Sequence, residues 1–179
     1  MTSLSATTLE EPSDADASAV GVMHLHAWHE TYDDAPGLDA AWVDEHIGFM
    51  ASPDADEFRH GVFAAQRDDP TRTHYRVARR GEEVVGFVHA SLPTAEDDDG
   101  EAVLEALYLL RSEHGTGLAD RLLGSALGWA DGRAIRLEAS PLSVRAVPFY
   151  RRHGFAPTGE TGVYRDRVPT LRMRRPADR

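Results

Sequence analysis

Residues 107–123 read Leu107-Tyr-Leu-Leu-Arg-Ser-Glu-His-Gly-Thr-Gly-Leu-Ala-Asp-Arg-Leu-Leu123. An apolar strand-like run leads through a short polar connection and two glycines into an amphipathic helix. Glycine lets the backbone approach a ligand closely, and the first N–H groups of a helix lack partners within it. With the helix dipole behind them, those donors suit a pyrophosphate and need no lysine. This bears on a chain whose 19 basic residues are all arginine.

Other readings of the turn exist. A nucleotide P-loop needs a Gly-Lys-Ser/Thr ending, and the lysine is missing. A dinucleotide fingerprint needs a third glycine where Asp120 stands. Glu138 lies near the place of its ribose-binding acid, but two antiparallel strands ahead of the turn fit that fold poorly. A third reading is a tight connection with no ligand, and the turn alone does not separate it from an anion site.

Working outward, the pattern upstream has period two. Residues 74–78 and 84–91 read as strands of a hairpin with Gly81 in the turn, 96–100 as a solvated acidic loop, and 103–110 as the next strand. Downstream, a helix is expected over 116–130, a strand over 135–139, a helix over 143–153, and strand signals at 155–156 and 170–173. Nearer the start, Val22, Leu25, Trp28 or His29, and Tyr32 recur at helical spacing, with Asp14 or Asp16 placed to cap and Pro36-Gly37 to stop the run. A second helix runs from Leu38 or Asp39 through Trp42, Val43, His46, Ile47 and Met50 to Ser52-Pro53, and a third covers about 55–66. Residues 1–13 are polar and small, a flexible segment in which 6–9 fit a short first strand. The order predicts an α/β or α+β fold with helices on the faces of a mixed sheet, in one domain over 14–175.

Ser143-Val-Arg-Ala-Val-Pro-Phe-Tyr-Arg-Arg-His-Gly-Phe155 follows the strand at 135–139. With this segment the sequence resembles the GNAT superfamily of acyl-CoA-dependent N-acyltransferases. Leu107, Tyr108, Leu109, Gly115, Gly117 and Ala119 meet the family's cofactor motif; Ala146, Phe149, Tyr150, Gly154 and Phe155 meet its Phe-Tyr-x-x-x-Gly-Phe element. Ala27-Trp28-His29-Glu30-Thr31-Tyr32 is similar to the region that lines the family's acceptor pocket. The likeness runs from about residue 16 to 174. It departs at His114, for the usual Gln or Arg, at Arg111, for the usual proline of the strand exit, and at Ser143, for an Asn that a serine can replace as a helix cap.

The resemblance implies a mostly antiparallel central sheet flanked by helices, and transfer of an acetyl group from acetyl-CoA to an amine by direct attack in a ternary complex. A catalytically silent acyl-CoA-binding module is the alternative. The absence of cysteine agrees with a route that has no cysteinyl intermediate. The cofactor is expected on Leu109, Leu110, His114, Gly115, Thr116, Gly117, Leu118, Ala119, Ser143 and Phe149. Tyr150 is the expected proton donor to the departing sulfur, and a backbone N–H near Leu109 the donor to the thioester oxygen. For the proton acceptor the candidate is Glu105, which strand alternation sets on one face with Leu107 and Leu109; near the sheet, burial would raise its pKa, while a solvent-facing edge glutamate and a water chain with no dedicated base are the alternatives. Glu30, His29 and Glu138 are lesser candidates.

A net charge of −11 disfavours nucleic acid and anionic membranes as partners and favours a cationic acceptor. No apolar run approaches the roughly 18 residues of a membrane span, so a cytoplasmic location is expected. The spacing of His24, His26 and His29 cannot set all three on one helical face, so no metal is expected. Members of the family often form homodimers, which makes a second copy a further expected partner.

Overall fold

The computed structural model describes residues 6–93 and 100–178. Seven strands form one sheet in the order β1-β2-β3-β4-β5-β7-β6: β1 (Thr8–Glu10), β2 (Thr73–Arg80), β3 (Glu83–Ser91), β4 (Ala102–Leu109), β5 (Ile135–Ala139), β6 (Ala156–Tyr164) and β7 (Val168–Arg175). Every neighbouring pair is antiparallel except β4 with β5. The helices are α1 (Ala17–Tyr32), α2 (Ala40–Ile47), α3 (Pro53–Asp68), α4 (Leu118–Ala130) and α5 (Ala146–Arg152). The expected mixed, mostly antiparallel sheet flanked by helices is the fold found.

Local chemistry sets several boundaries. The Asp39 carboxylate accepts the Trp42 N–H at 2.8 Å and opens α2, while Ser52 accepts the Ala55 N–H at 3.3 Å ahead of Pro53 and opens α3. Asp16 does not cap α1. Its carboxylate takes the Ser13 N–H and hydroxyl at 2.7 and 2.9 Å and pairs with Arg79, tying the chain start to β2. Gly81 adopts φ +65° in the β2–β3 turn.

Helix α1 lies on one face of β3 and β4, and α4 lies across β2, β3 and β4 on the other. The stripe α1 buries keeps Trp28 and Tyr32 of the expected one and leaves out Val22. Val20, Gly21, Met23, His24, Ala27, Trp28 and Tyr32 face inward, and Val22 is 58% exposed. Gly21 is required there: a Cβ would stand 2.5 Å from the Met50 carbonyl oxygen. The main core joins the sheet to α1, α3 and α4 through Phe63, Val85, Val88, Leu122, Leu123 and Met173. A second cluster of Trp28, Tyr32, Leu38, Trp42, Val43, Ile47 and Val168 locks α2 and the β6–β7 hairpin onto the end of α1.

That hairpin extends well beyond the strand signals expected at 155–156 and 170–173. Strand β6 runs nine residues, nearly all exposed, and pairs with β7 through a register shift between Pro157 and Thr161. Arg165 and Asp166 take φ of 49° and 58° in its turn. The acidic loop expected at 96–100 lies outside the described residues apart from Gly100.

Candidate active site

Strands β4 and β5 pair from Ala102↔Ile135 to Leu104↔Leu137 and no further. Beyond that point β4 stays with β3 to Leu109 and β5 stays with β7 to Ala139, so the two strands diverge. A cleft of about 1010 Å³ opens in the fork. It is lined by Leu107 and Leu109 of β4, Ala139 of β5, the glycine turn, Tyr150 of α5, and Glu30 and Tyr32 of α1.

The fork leaves backbone donors without partners. The Leu110 N–H bonds the Val85 carbonyl at 2.9 Å, and Phe87 faces Tyr108 two residues back. Antiparallel alternation therefore turns the N–H groups of Leu107 and Leu109 away from β3, toward the gap. The turn after β4 behaves similarly. Gly115 and Gly117 take φ of +81° and +84°, a left-handed conformation that glycine adopts without strain. Among the described residues no group accepts the N–H of Gly115, Gly117, Ala119 or Asp120. Successive N–H groups in such a turn form an anion-binding concavity, reinforced by the first turn of α4.

Beneath the turn lies Glu113, which is 3% exposed. Its carboxylate stands 2.7 Å from the Arg80 guanidinium, and Thr116 donates its hydroxyl to the Glu113 carbonyl at 2.8 Å. Glu113 thus fixes the turn from inside, a role nothing local in the sequence announced. Leu110 and Leu118 are buried, at 6% and 1% exposure, and the Leu118 N–H is taken by the Thr116 hydroxyl at 3.3 Å. Leu110, Thr116 and Leu118 therefore shape the turn and do not line the cleft. His114, Gly115, Gly117, Ala119, Ser143, Phe149 and Leu109 do line it. Ser143 does not cap α5. The helix starts three residues later, and the Ser143 carbonyl accepts the Ala146 N–H at 2.9 Å in the turn that leads into it.

Tyr150 is 8% exposed and lines the cleft, and no described group bonds its hydroxyl. Burial, with Tyr32 nearby, raises its pKa above the ordinary phenol value, so it is a protonated donor at neutral pH. Tyr108 and Tyr32 share this region and are raised chiefly by burial as well.

Glu105 departs from its expected placement. The β3–β4 register slips between His89↔Ala106 and Ala90↔Leu104, so Glu105 is the extra residue of a β-bulge. Leu109 faces Gly86, whose added Cβ would meet Leu122 of α4, which sets Leu107 and Leu109 on the α4 face. Glu105 is thrown to the α1 face, where its Oε1 accepts the Ser91 hydroxyl at 2.7 Å and His89 lies close. It is exposed, the solvent-facing one of its two expected placements, and it remains in the cleft lining.

Of the lesser candidates, Glu30 accepts the Arg111 N–H at 2.6 Å, and the Arg111 guanidinium bonds the Glu30 carbonyl. A proline at 111 would have no N–H to give. Glu138 lies 3.4 Å from Arg172, and His29 is held between Asp33 and Asp44 at 2.9 and 3.1 Å. His24 is buried between Phe87 and Tyr108, accepts the Trp28 N–H at 3.3 Å, and is pushed down to about 3, mainly by burial. Among the described residues no group of three or more His, Asp or Glu is placed to hold a metal ion, and no helix is long and apolar enough to cross a membrane.

The family model described as the acetyltransferase (GNAT) family matches residues 25–155. The chain belongs to that family. Against curated proteins it has no significant sequence match. Among solved structures it is similar to the PaiA N-acetyltransferase of Thermoplasma acidophilum in complex with coenzyme A, at TM-score 0.79 and 16% identity over 96% of this chain and 99% of that one. It is similar to a GNAT-family acetyltransferase of Streptococcus pneumoniae, at TM-score 0.70 and 18% identity over 95% and 99%. It also resembles the ribosomal-protein-alanine N-acetyltransferase of Brucella melitensis, at TM-score 0.65 and 18% identity over 94% and 98%. At these identities the likeness is one of fold.

Proposed function

We propose that this protein moves an acetyl group from acetyl-CoA to a primary amine by direct attack while both substrates are bound. The observation that carries the reading is the continuity of the cleft: one cavity joins the unpaired N–H groups of Gly115, Gly117, Ala119 and Asp120 to the Tyr150 hydroxyl, which no described group bonds. Those N–H groups hold a pyrophosphate by fixed dipoles, which suits a chain with no lysine. The N–H of Leu109, turned into the fork, lies where a thioester oxygen gaining negative charge needs a donor, an arrangement worth on the order of 3 kcal/mol. Tyr150, kept protonated by burial, donates to the departing sulfur. An alkylamine must shed a proton before it attacks, and Glu105 faces the cleft with one oxygen on Ser91 and the other open.

The test measures thiol release from acetyl-CoA across polyamines, aminoglycosides, amino acids and peptide N-termini, with Tyr150→Phe in parallel. The variant should lose about 10²-fold or more in kcat with the KM for acetyl-CoA little changed. An unchanged kcat removes Tyr150 from the chemistry. Stabilisation by acetyl-CoA with no thiol release from any amine would mark a silent binding module instead.

A further inference from the structure

Thirty acidic residues against 19 arginines should make this chain repel a polyanion, yet the acyl-CoA reading requires it to hold one bearing a pyrophosphate and, on the ribose, a phosphate monoester. Many arginines are neutralised where they stand. Arg80, Arg172 and Arg175 lie 2.7, 3.4 and 2.8 Å from the carboxylates of Glu113, Glu138 and Asp178. Arg145 and Arg152 differ. Both are exposed, both line the cleft, and neither has an acidic partner among the described residues.

Their placement is not arbitrary. They stand seven residues apart at the two ends of α5, on one helical face and roughly 10 Å apart along it. Arg145 is near enough to His114 to help lower the imidazole, after burial, so it borders the start of the glycine turn. Arg152 packs over the Phe149 ring at 5.6 Å, and its neighbour His153 reaches the first turn of α4. The carboxylate that this turn carries, Asp120, is held by His153 Nε2 at 2.9 Å and so is not the arginines' partner.

We propose that Arg145 and Arg152 form a second anion subsite, separate from the glycine turn, that takes the ribose phosphate monoester of coenzyme A. The division of labour follows the chemistry. Fixed backbone N–H groups match the bridging pyrophosphate, whereas a mobile dianion at the rim of the cleft calls for guanidinium forks, which bind a phosphate through paired hydrogen bonds. Without them the monoester would meet Asp120 and the field of an acidic protein. The inference rests on the acyl-CoA reading above.

Calorimetric titration of the full chain with coenzyme A and with 3′-dephospho-coenzyme A tests it, on the wild type and on Arg145→Gln, Arg152→Gln and the double variant. The wild type should bind coenzyme A about tenfold tighter or better, an advantage that shrinks in at least one single variant and falls to near one in the double variant. Affinity for the dephospho form should change less than about threefold. Equal wild-type affinity for the two nucleotides, or full discrimination in the double variant, overturns the subsite and leaves the acyl-CoA reading intact. Binding of neither nucleotide overturns that reading and the subsite with it.

Discussion

Substituting Gly86 by alanine probes how closely strand pairing and the site are joined. Gly86 is in β3, faces Leu109 across the ladder, and is not in the left-handed region, so alanine strains no dihedral there. The obstacle is space. A Cβ would stand 2.9 Å from the Tyr108 carbonyl oxygen, 3.1 Å from Leu109 Cβ and 3.3 Å from Leu122 Cδ1. Two of these belong to the backbone and root of β4 and cannot swing aside. Overpacking of this kind costs about 1–3 kcal/mol, offset by roughly 0.5–1 kcal/mol from the reduced freedom of the unfolded chain. The net is about 0–2.5 kcal/mol, so at about 2–4 °C per kcal/mol for a protein of this size Tm should fall, by up to roughly 10 °C. Gly124, exposed in the middle of α4 with nothing within 4 Å of its added Cβ, is the control, and Gly124→Ala should raise Tm by roughly 2–4 °C. Because the displaced segment carries the Leu109 N–H, Gly86→Ala should also lower kcat more than it raises the KM for acetyl-CoA. Thermal melts and thiol-release kinetics on both variants decide the matter. If Gly86→Ala melts with or above Gly124→Ala, the close approach of β3 to β4 is not what holds the fork in shape.

Other consequences are open to measurement. Burial pushes His24 down to about 3 and His74 to about 4, against 6.5 when unfolded, so both remain neutral in the folded protein while the unfolded chain takes up protons. Stability should therefore be flat above about pH 6.5 on their account and fall as pH drops toward 4, by about 1.4 kcal/mol per pH unit for each histidine. Urea melts between pH 7 and 5 would show the slope, to which His89 and His114, also lowered chiefly by burial, add, and His74→Gln should make it shallower. Arg80→Ala leaves the Glu113 carboxylate buried without its cation and should cost on the order of 3 kcal/mol, with Glu113→Gln restoring part of the loss. No rescue in the double variant would mean that the pair does not act as one. Arg111→Pro removes both links to Glu30 and should raise the amine KM roughly fivefold, from about 1 kcal/mol of lost hydrogen bonding, with acetyl-CoA binding unchanged. An unaltered amine KM would show that this clamp does not hold the acceptor side of the cleft.

The elements that frame the cleft were legible from residue order because their signals are local. Alternation marks β4, paired glycines mark its exit, and the next strand and helix follow at short range, so 135–139 was read with its bounds intact. Of strand β6 the sequence signals only the start, at 155–156, because it is an edge strand with almost every side chain in water and no alternation records the rest. The buried stripe of α1 departs from its sequence pattern at Val22, because packing places Gly21, His24 and Ala27 inward instead, under Met50 and against the sheet. The motif position of Ser143 suggests a cap, whereas two successive turns delay the helix.

Sequence by itself determined the family, the order of elements and the glycine turn, because each is written in residues close along the chain. Tertiary structure alone decided which groups face the cleft. The bulge that carries Glu105 to the α1 face exists only in the pairing of β4 with β3, and the fork that turns the Leu109 N–H toward the gap exists only where β5 follows β7 away from β4. Arg145 and Arg152 become notable only once their neighbours are known, since a charge is free or neutralised according to what stands beside it in space.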